Sequence, residues 1–131
     1  MSAARLTVRV DFGGDRSIGP GKIRLLEAVH KTGSIARAGR ALGMSYRRAW
    51  LLIDDLNRCF REAVVRKKPG GTRGGGALVT AFGRSLIKEY RFIEARAAAG
   101  VEKRLHGLER SLRDRSTRKP RKRSIRPAAR P

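Results

Sequence analysis

Arg47 and Arg48 stand side by side, just after Ser45 and the turn-forming pair Gly43-Met44. A guanidinium is a rigid fork of donors. It bonds a phosphate, or the O6/N7 edge of guanine, through two parallel N–H groups. If Ser45 opens a helix, both arginines fall in its first turn, where positive charge opposes the helix dipole. That local cost makes sense if phosphates or base edges lie opposite, and at least one of the two must then point outward. Further along, the run 69–76 sets Thr72 and Arg73 among glycines. Glycine tolerates positive φ and close backbone approach. Such a loop can lay Arg73 along a phosphate or into a minor groove.

The flanking sequence supplies elements to hold these side chains. Pro20 suits a first helical turn, whose N–H lacks an intrahelical partner. Ile23, Leu25, Leu26 and Val29 keep helical spacing to about Thr32, and Gly33 is the stop. Ser34 caps a second helix with Ile35, Ala38 and Leu42 as its apolar stripe, ended by Gly43. Ser45 caps a third, from about Tyr46 to Arg61, lined by Ala49, Leu52, Leu56 and Phe60 with Trp50 and Ile53 beside them. Two short helices joined by a tight turn are how a recognition helix is held against a DNA major groove.

Val64 to Lys68 and Ala77 to Thr80 read as strands on either side of the glycine run, a hairpin in the place of a wing. Leu6, Val8, Val10 and Phe12 alternate with polar residues, which predicts a half-buried N-terminal strand broken at Gly13-Gly14-Asp15. The hairpin's outer strand is expected to pair with it. A fourth helix begins near Thr80 or Ala81. Phe82, Leu86, Tyr90, Ile93, Ala97, Val101, Leu105, Leu108 and Leu112 then recur every three or four residues. Gly100 and Gly107 each weaken that helix by ~1 kcal/mol relative to Ala. The stripe exceeds what a small domain covers, so its distal part is expected to pack against a second subunit.

The expected fold class is mainly α with a small β-sheet, a winged helix-turn-helix with a long C-terminal helix. It occupies residues 1–112, and a disordered basic tail occupies 113–131. From Arg113 onward nine Lys and Arg face only Asp114, with too little apolar surface to offset the entropy of ordering.

Charge points the same way. The 131 residues carry a formal +21, far more than folding calls for, since like charges repel in the compact state. A polyanion would relieve that repulsion, and nucleic acid is the first candidate. No apolar run approaches the ~20 residues that cross a bilayer, and no secretory signal opens the chain. With one cysteine, Cys59, no intrachain disulfide forms. A cytoplasmic, nucleoid-associated setting is expected, without a membrane partner.

Taken together, Gly33-Ser34-Ile35, Gly43-Met44-Ser45-Tyr46-Arg47-Arg48-Ala49-Trp50, Asn57, and the run from Gly70 to Thr80 with Gly83 resemble the N-terminal DNA-binding domain of the ModE family. These are bacterial molybdate-responsive transcription regulators, distantly related to the LysR type. The likeness covers roughly Ile18 to Ile93. It implies a winged helix-turn-helix that dimerises largely through its first and last helices and contacts double-stranded DNA with the recognition helix and wing. The residues matching those segments are Ser34, Ser45, Tyr46, Arg47, Arg48, Thr72 and Arg73. Full-length members bind molybdate in additional C-terminal domains of β-barrel type. Nothing after Gly100 resembles a barrel, so effector binding is not implied for this chain.

Other chemistries find less support. The glycine run lacks the G-x-x-x-x-G-K-[ST] spacing of a nucleotide phosphate loop and leads into a strand, not a helix. His30 and His106 are far apart, no Cys/His cluster has metal spacing, and no nucleophile–base set is visible. The chain therefore reads as a non-enzyme without a cofactor. Cys59 reads as an inert thiol. Trp50, beside Ile53 and Leu56, reads as core rather than as a base-stacking residue, whereas Tyr46 near the helix start is open to exposure. A low-specificity architectural protein that coats DNA or binds RNA is the alternative to a sequence-specific homodimeric regulator. A direct molybdate sensor is a third reading.

Overall fold

The computed structural model describes residues 4–68 and 76–114. Its elements run β1 (Val10–Gly13), β2 (Arg16–Ile18), α1 (Pro20–Thr32), α2 (Ile35–Ala41), α3 (Tyr46–Cys59), β3 (Val65–Lys67), β4 (Ala77–Val79) and α4 (Ala81–Arg110). The fold is mainly α, with two small antiparallel sheets and a long C-terminal helix. The chain divides into two compact units, Arg5–Gly100 and Met1–Ala4 with Val101–Pro131.

In the Arg5–Gly100 unit the three short helices follow their sequence signals. α1 opens on Pro20 and closes on Gly33 in the left-handed conformation. Ser34 caps α2, its hydroxyl accepting from the Arg37 N–H at 3.1 Å. Gly43 then turns the chain at φ 73°, where a side chain would be strained, and the Met44 N–H donates to the Gly39 carbonyl at 2.9 Å. Ser45 caps α3, accepting from Arg48 N–H at 3.1 Å. The helix ends at Cys59, two residues short of the expected end, because Phe60 is already extended.

One cluster forms the core. Ile23, Leu25, Leu26 and Val29 of α1, Ala38 of α2, and Ala49 and Leu56 of α3 are fully buried, with Ile53 nearly so. At about 25 cal/mol per Å² of apolar surface, each of the larger side chains contributes roughly 1.5–3 kcal/mol. Leu52 and Phe60, expected on the inner face of α3, pack at the edge of this cluster rather than within it. α4 starts with Thr80, whose hydroxyl accepts from Gly83 N–H at 2.9 Å and donates to the Ala63 carbonyl at 2.7 Å. Gly83 lies so close to the hairpin that an added Cβ would sit 2.4 Å from the Val64 carbonyl oxygen.

Two strand expectations need correction. The N-terminal strand begins at Val10, not Leu6, and folds back through Gly13, Gly14 and Asp15, all at positive φ, onto β2, a strand not expected from the sequence. Among the described residues β1 therefore pairs with β2 (Val10 opposite Ile18) and β3 with β4 (Val65 opposite Val79), and no sheet joins the N-terminal strand to the glycine-rich hairpin. Val8 meets a side chain instead of a strand: its carbonyl accepts from the hydroxyl of fully buried Tyr90 at 2.6 Å.

In the other unit, Val101 to Arg110 are helical despite Gly107, and the Ala4 N–H donates to the Glu109 carboxylate at 2.8 Å. Leu108 and Leu112 are largely exposed there. Of the expected basic tail, residues from 115 onward lie outside the described residues.

Candidate nucleic-acid interface

The capping serines place the start of α3 at the surface. Tyr46, Arg47 and Arg48 are all exposed. Among the described residues no carboxylate pairs with either arginine; the acidic groups of α3 are engaged elsewhere, Asp54 with Arg58 at 2.9 Å and Asp55 with Lys22 at 3.7 Å. The two guanidinium forks are therefore available to a ligand, one turn or less from the helix end. The hydroxyl oxygens of Ser34 and Ser45 each accept a backbone N–H as caps. Each keeps its own proton to donate.

The hairpin is fixed beside α3 by one amide. Asn57 accepts through Oδ1 from the backbone N–H groups of Val64 (2.7 Å) and Val65 (3.2 Å), and donates through Nδ2 to the Val65 carbonyl at 3.1 Å. This saturates β3 where it leaves α3. The other strand is held from α1: Ala77 N–H donates to the Gly33 carbonyl at 2.9 Å. Lys68 N–H donates to the Gly76 carbonyl at 3.1 Å, so strand-like pairing continues toward the tip. The tip, with the expected DNA-contacting residues Thr72 and Arg73, lies outside the described residues.

Between α3 and the hairpin runs an open groove of about 470 Å³. Ser34 and Tyr46 line it, as do three residues not assigned to the site from sequence: Trp50, Arg66 and Lys67. The expectation that Trp50 belongs to the core is wrong. Its side chain is 45% exposed, because the buried face of α3 is already filled by Ala49, Ile53 and Leu56, and position 50 turns toward the groove. The helical spacing of 46, 50, 53, 54 and 57 carried the signal, since all five line the same groove. Of the residues expected to touch DNA, Ser34 and Tyr46 are thus brought together in the groove, and Arg47 and Arg48 sit at the head of α3.

No family model matches the chain. Individual proteins do. Over 105 residues it is 34% identical to the molybdenum transport protein ModE of Azotobacter vinelandii, covering 79% of this chain and 39% of that protein. Over 71 residues it is 37% identical to the DNA-binding transcriptional dual regulator ModE of Escherichia coli K12, covering 54% and 27%. The likeness is to ModE. A molybdenum-pterin-binding protein, MopB of Rhodobacter capsulatus, is 42% identical over 95 residues, covering 72% of this chain and 34% of MopB. The chain thus spans roughly a third of the length of these ModE and Mop proteins. Among the described residues no group of three or more His, Cys, Asp or Glu is placed to hold a metal ion, and no helix is long and apolar enough to cross a membrane.

Proposed function

We propose that this chain is a sequence-specific, double-stranded-DNA-binding transcription regulator of the ModE family. In this reading α2 and α3 form the helix-turn-helix, and β3–β4 is the wing. The observation that carries it is the head of α3: exposed Arg47 and Arg48, without carboxylate partners among the described residues, on a helix whose opposite face is anchored in the core. The likeness to ModE regulators supports it. α3 enters the major groove, with Ser34, Ser45 and Tyr46 near the flanking backbone, and the wing carries Thr72 and Arg73 to the backbone or minor groove.

The regulator acts as a homodimer. Along α4, Phe92, Ile93 and Leu108 are 58%, 43% and 68% exposed, and Leu112, just past its end, is 71% exposed. Apolar side chains left in water along one helix are suited to a second copy, with α1 alongside. Two-fold symmetry then sets half-sites about one helical turn, ~34 Å, or a multiple apart.

The test is competition binding by the full chain, using a duplex recovered by selection from a random pool and an unselected duplex. A regulator prefers the selected duplex by roughly 10³-fold or more. Replacing both Arg47 and Arg48 with Ala lowers that preference, by ~1–3 kcal/mol for each base edge that an arginine had gripped. Equal loss on both duplexes overturns base reading by these arginines. A parent chain with only a modest preference is instead the low-specificity architectural protein that the +21 charge also suits.

A further inference from the structure

We infer that the groove between α3 and the β3–β4 hairpin is a site for a small effector, a nucleoside diphosphate. Its base stacks on Trp50 and Tyr46, its phosphates lie on Arg66 and Lys67, and its presence excludes duplex DNA. The site itself is independent of the DNA-binding reading above; only the exclusion of duplex rests on that reading.

At about 470 Å³ the groove has the size of a small-ligand site, which in general spans ~300–1,000 Å³. Its α3 wall carries Tyr46 and Trp50, one helical turn apart and 58% and 45% exposed. Its other wall is β3, where Arg66 and Lys67 are exposed and, among the described residues, no carboxylate pairs with either. The backbone of Lys67 adds a third donor. Thr80 N–H donates to the Val64 carbonyl and Lys68 N–H to the Gly76 carbonyl, so the even-numbered residues of this strand face β4. In an antiparallel ladder the residues between them turn their N–H and C=O groups the other way. Those of Val65 are taken by Asn57. The N–H of Lys67 points to the same side, and no described residue accepts it. The one carboxylate among the described lining residues, Asp54, is bonded to Arg58 at 2.9 Å, so it does not oppose an anion as a bare charge.

Aromatic rings across a groove from three free donors select the occupant. A small oxyanion has no use for the rings, and an uncharged aromatic has none for the cations. A duplex offers phosphates, but its bases are stacked on one another, and neither ring finds an open base face. A free nucleotide joins an open base face to a phosphate chain, and two phosphates match two cationic side chains. Strand residues supply the phosphate donors, so no glycine-rich phosphate loop is needed. A nucleotide held there occupies Tyr46 and sets negative charge between two elements that must both meet DNA phosphates. Nucleotide and duplex therefore compete, and each weakens the other by the same factor.

Trp50 is the chain's single tryptophan, so its emission reports on this groove. The full chain is titrated with ADP at fixed ionic strength, with excitation at the red edge of the indole band, where adenine does not absorb. Saturable quenching is expected, half-complete below about 1 mM, as one stacked base and a few charged hydrogen bonds supply. Pyrophosphate, which lacks the base, binds at least about tenfold more weakly by calorimetry. Adenosine, which lacks the phosphates, also binds at least about tenfold more weakly. Trp50→Ala and Arg66→Gln each weaken ADP binding about tenfold. Trp50→Phe keeps most of the affinity, so a folding failure of the alanine variant does not decide the matter. Saturating ADP weakens binding of a dye-labelled duplex by at least about fivefold in anisotropy, an effect that shrinks in Trp50→Ala.

Pyrophosphate binding as tightly as ADP makes the groove a general cationic surface and overturns the inference. So does Trp50 quenching by single-stranded oligodeoxyadenylate without quenching by ADP, which gives the groove to a single strand. Duplex affinity unchanged by saturating ADP overturns it while leaving the DNA-binding reading intact. ADP binding with the stated preferences, by a chain that binds no duplex, supports the nucleotide site and removes the regulator reading instead.

Discussion

The two faces of α3 are opposite in chemistry. Inward, Ala49, Ile53 and Leu56 are buried against α1 and α2. Outward, Tyr46, Arg47, Trp50 and Leu51 lie open to solvent. Side chains such as Leu51 and Trp50 would serve folding better inside than out, and α3 leaves both exposed. The inner face is sufficient to fix the helix, so the outer face is open to selection for something else. The division predicts that substitutions on one face change stability and those on the other change binding.

The largest expected effect breaks the inner face. Leu56 is fully buried at the meeting of α3 with the rest of the core. Leu56→Ala should cost about 2–5 kcal/mol, from lost transfer energy plus the cavity left behind. Urea denaturation followed by circular dichroism measures it. A loss under ~1 kcal/mol, well below that range, would mean that α3 is not anchored as described. The paired Arg47 and Arg48 replacement is the counterpart on the outer face. It should change the unfolding free energy by no more than the ~0.5 kcal/mol typical of surface substitutions, while DNA discrimination falls.

Asn57 sharpens the comparison because it belongs to both sides. Its amide makes three hydrogen bonds to Val64 and Val65 where the hairpin begins, so it fixes where β3 stands relative to α3. Asn57→Ala leaves two part-buried N–H groups and a carbonyl without this partner, at an expected cost of roughly 1–3 kcal/mol. Unlike Leu56→Ala, it should also weaken DNA binding under conditions where the variant is fully folded. Loss of stability without loss of affinity would show that the hairpin's placement does not matter to the ligand.

Much of this is legible in the residues themselves, wherever a local rule acts alone. Pro20, Gly33, Ser34, Gly43 and Ser45 each bound a helix through chemistry confined to a few neighbours, and the helices begin or end where those residues stand. Local rules fail where a distant partner decides. Leu6 and Val8 alternate as a strand does, but the partner of Val8 is a tyrosine hydroxyl 82 positions away. β2 escapes a periodicity argument because three residues are too few to show a period, and the hairpin that makes it depends on positive φ at Asp15 as well as at two glycines. Composition favours burying an indole, yet the inner face of α3 has no room for Trp50. Arg66 and Lys67 read only as strand residues, since nothing in the local sequence says that β3 faces α3.

The smallest expected effect is a control remote from the groove. Tyr90 of α4 is fully buried, and its hydroxyl donates to the Val8 carbonyl. Burial, with the Glu94 carboxylate second, holds the phenol above its ordinary value of 10.0, against the opposing pull of Arg91 and the Val8 bond. Unfolding releases the phenol to that ordinary value, so the protonated form favours the folded state. The contribution is fully present below about pH 10 and is lost as pH climbs through the folded-state value. Tyr90→Phe should cost roughly 0.5–1.5 kcal/mol at neutral pH for the lost hydrogen bond. The gap between parent and variant should then narrow above about pH 10, when unfolding free energies are compared across roughly pH 7–11. Every other ionisable group is common to both proteins and cancels in the difference. A gap that stays constant across that range would show that the phenol's ionisation is not coupled to folding. DNA affinity at neutral pH should not change, because Tyr90 supports the fold from a face that neither α3's outer residues nor the groove shares.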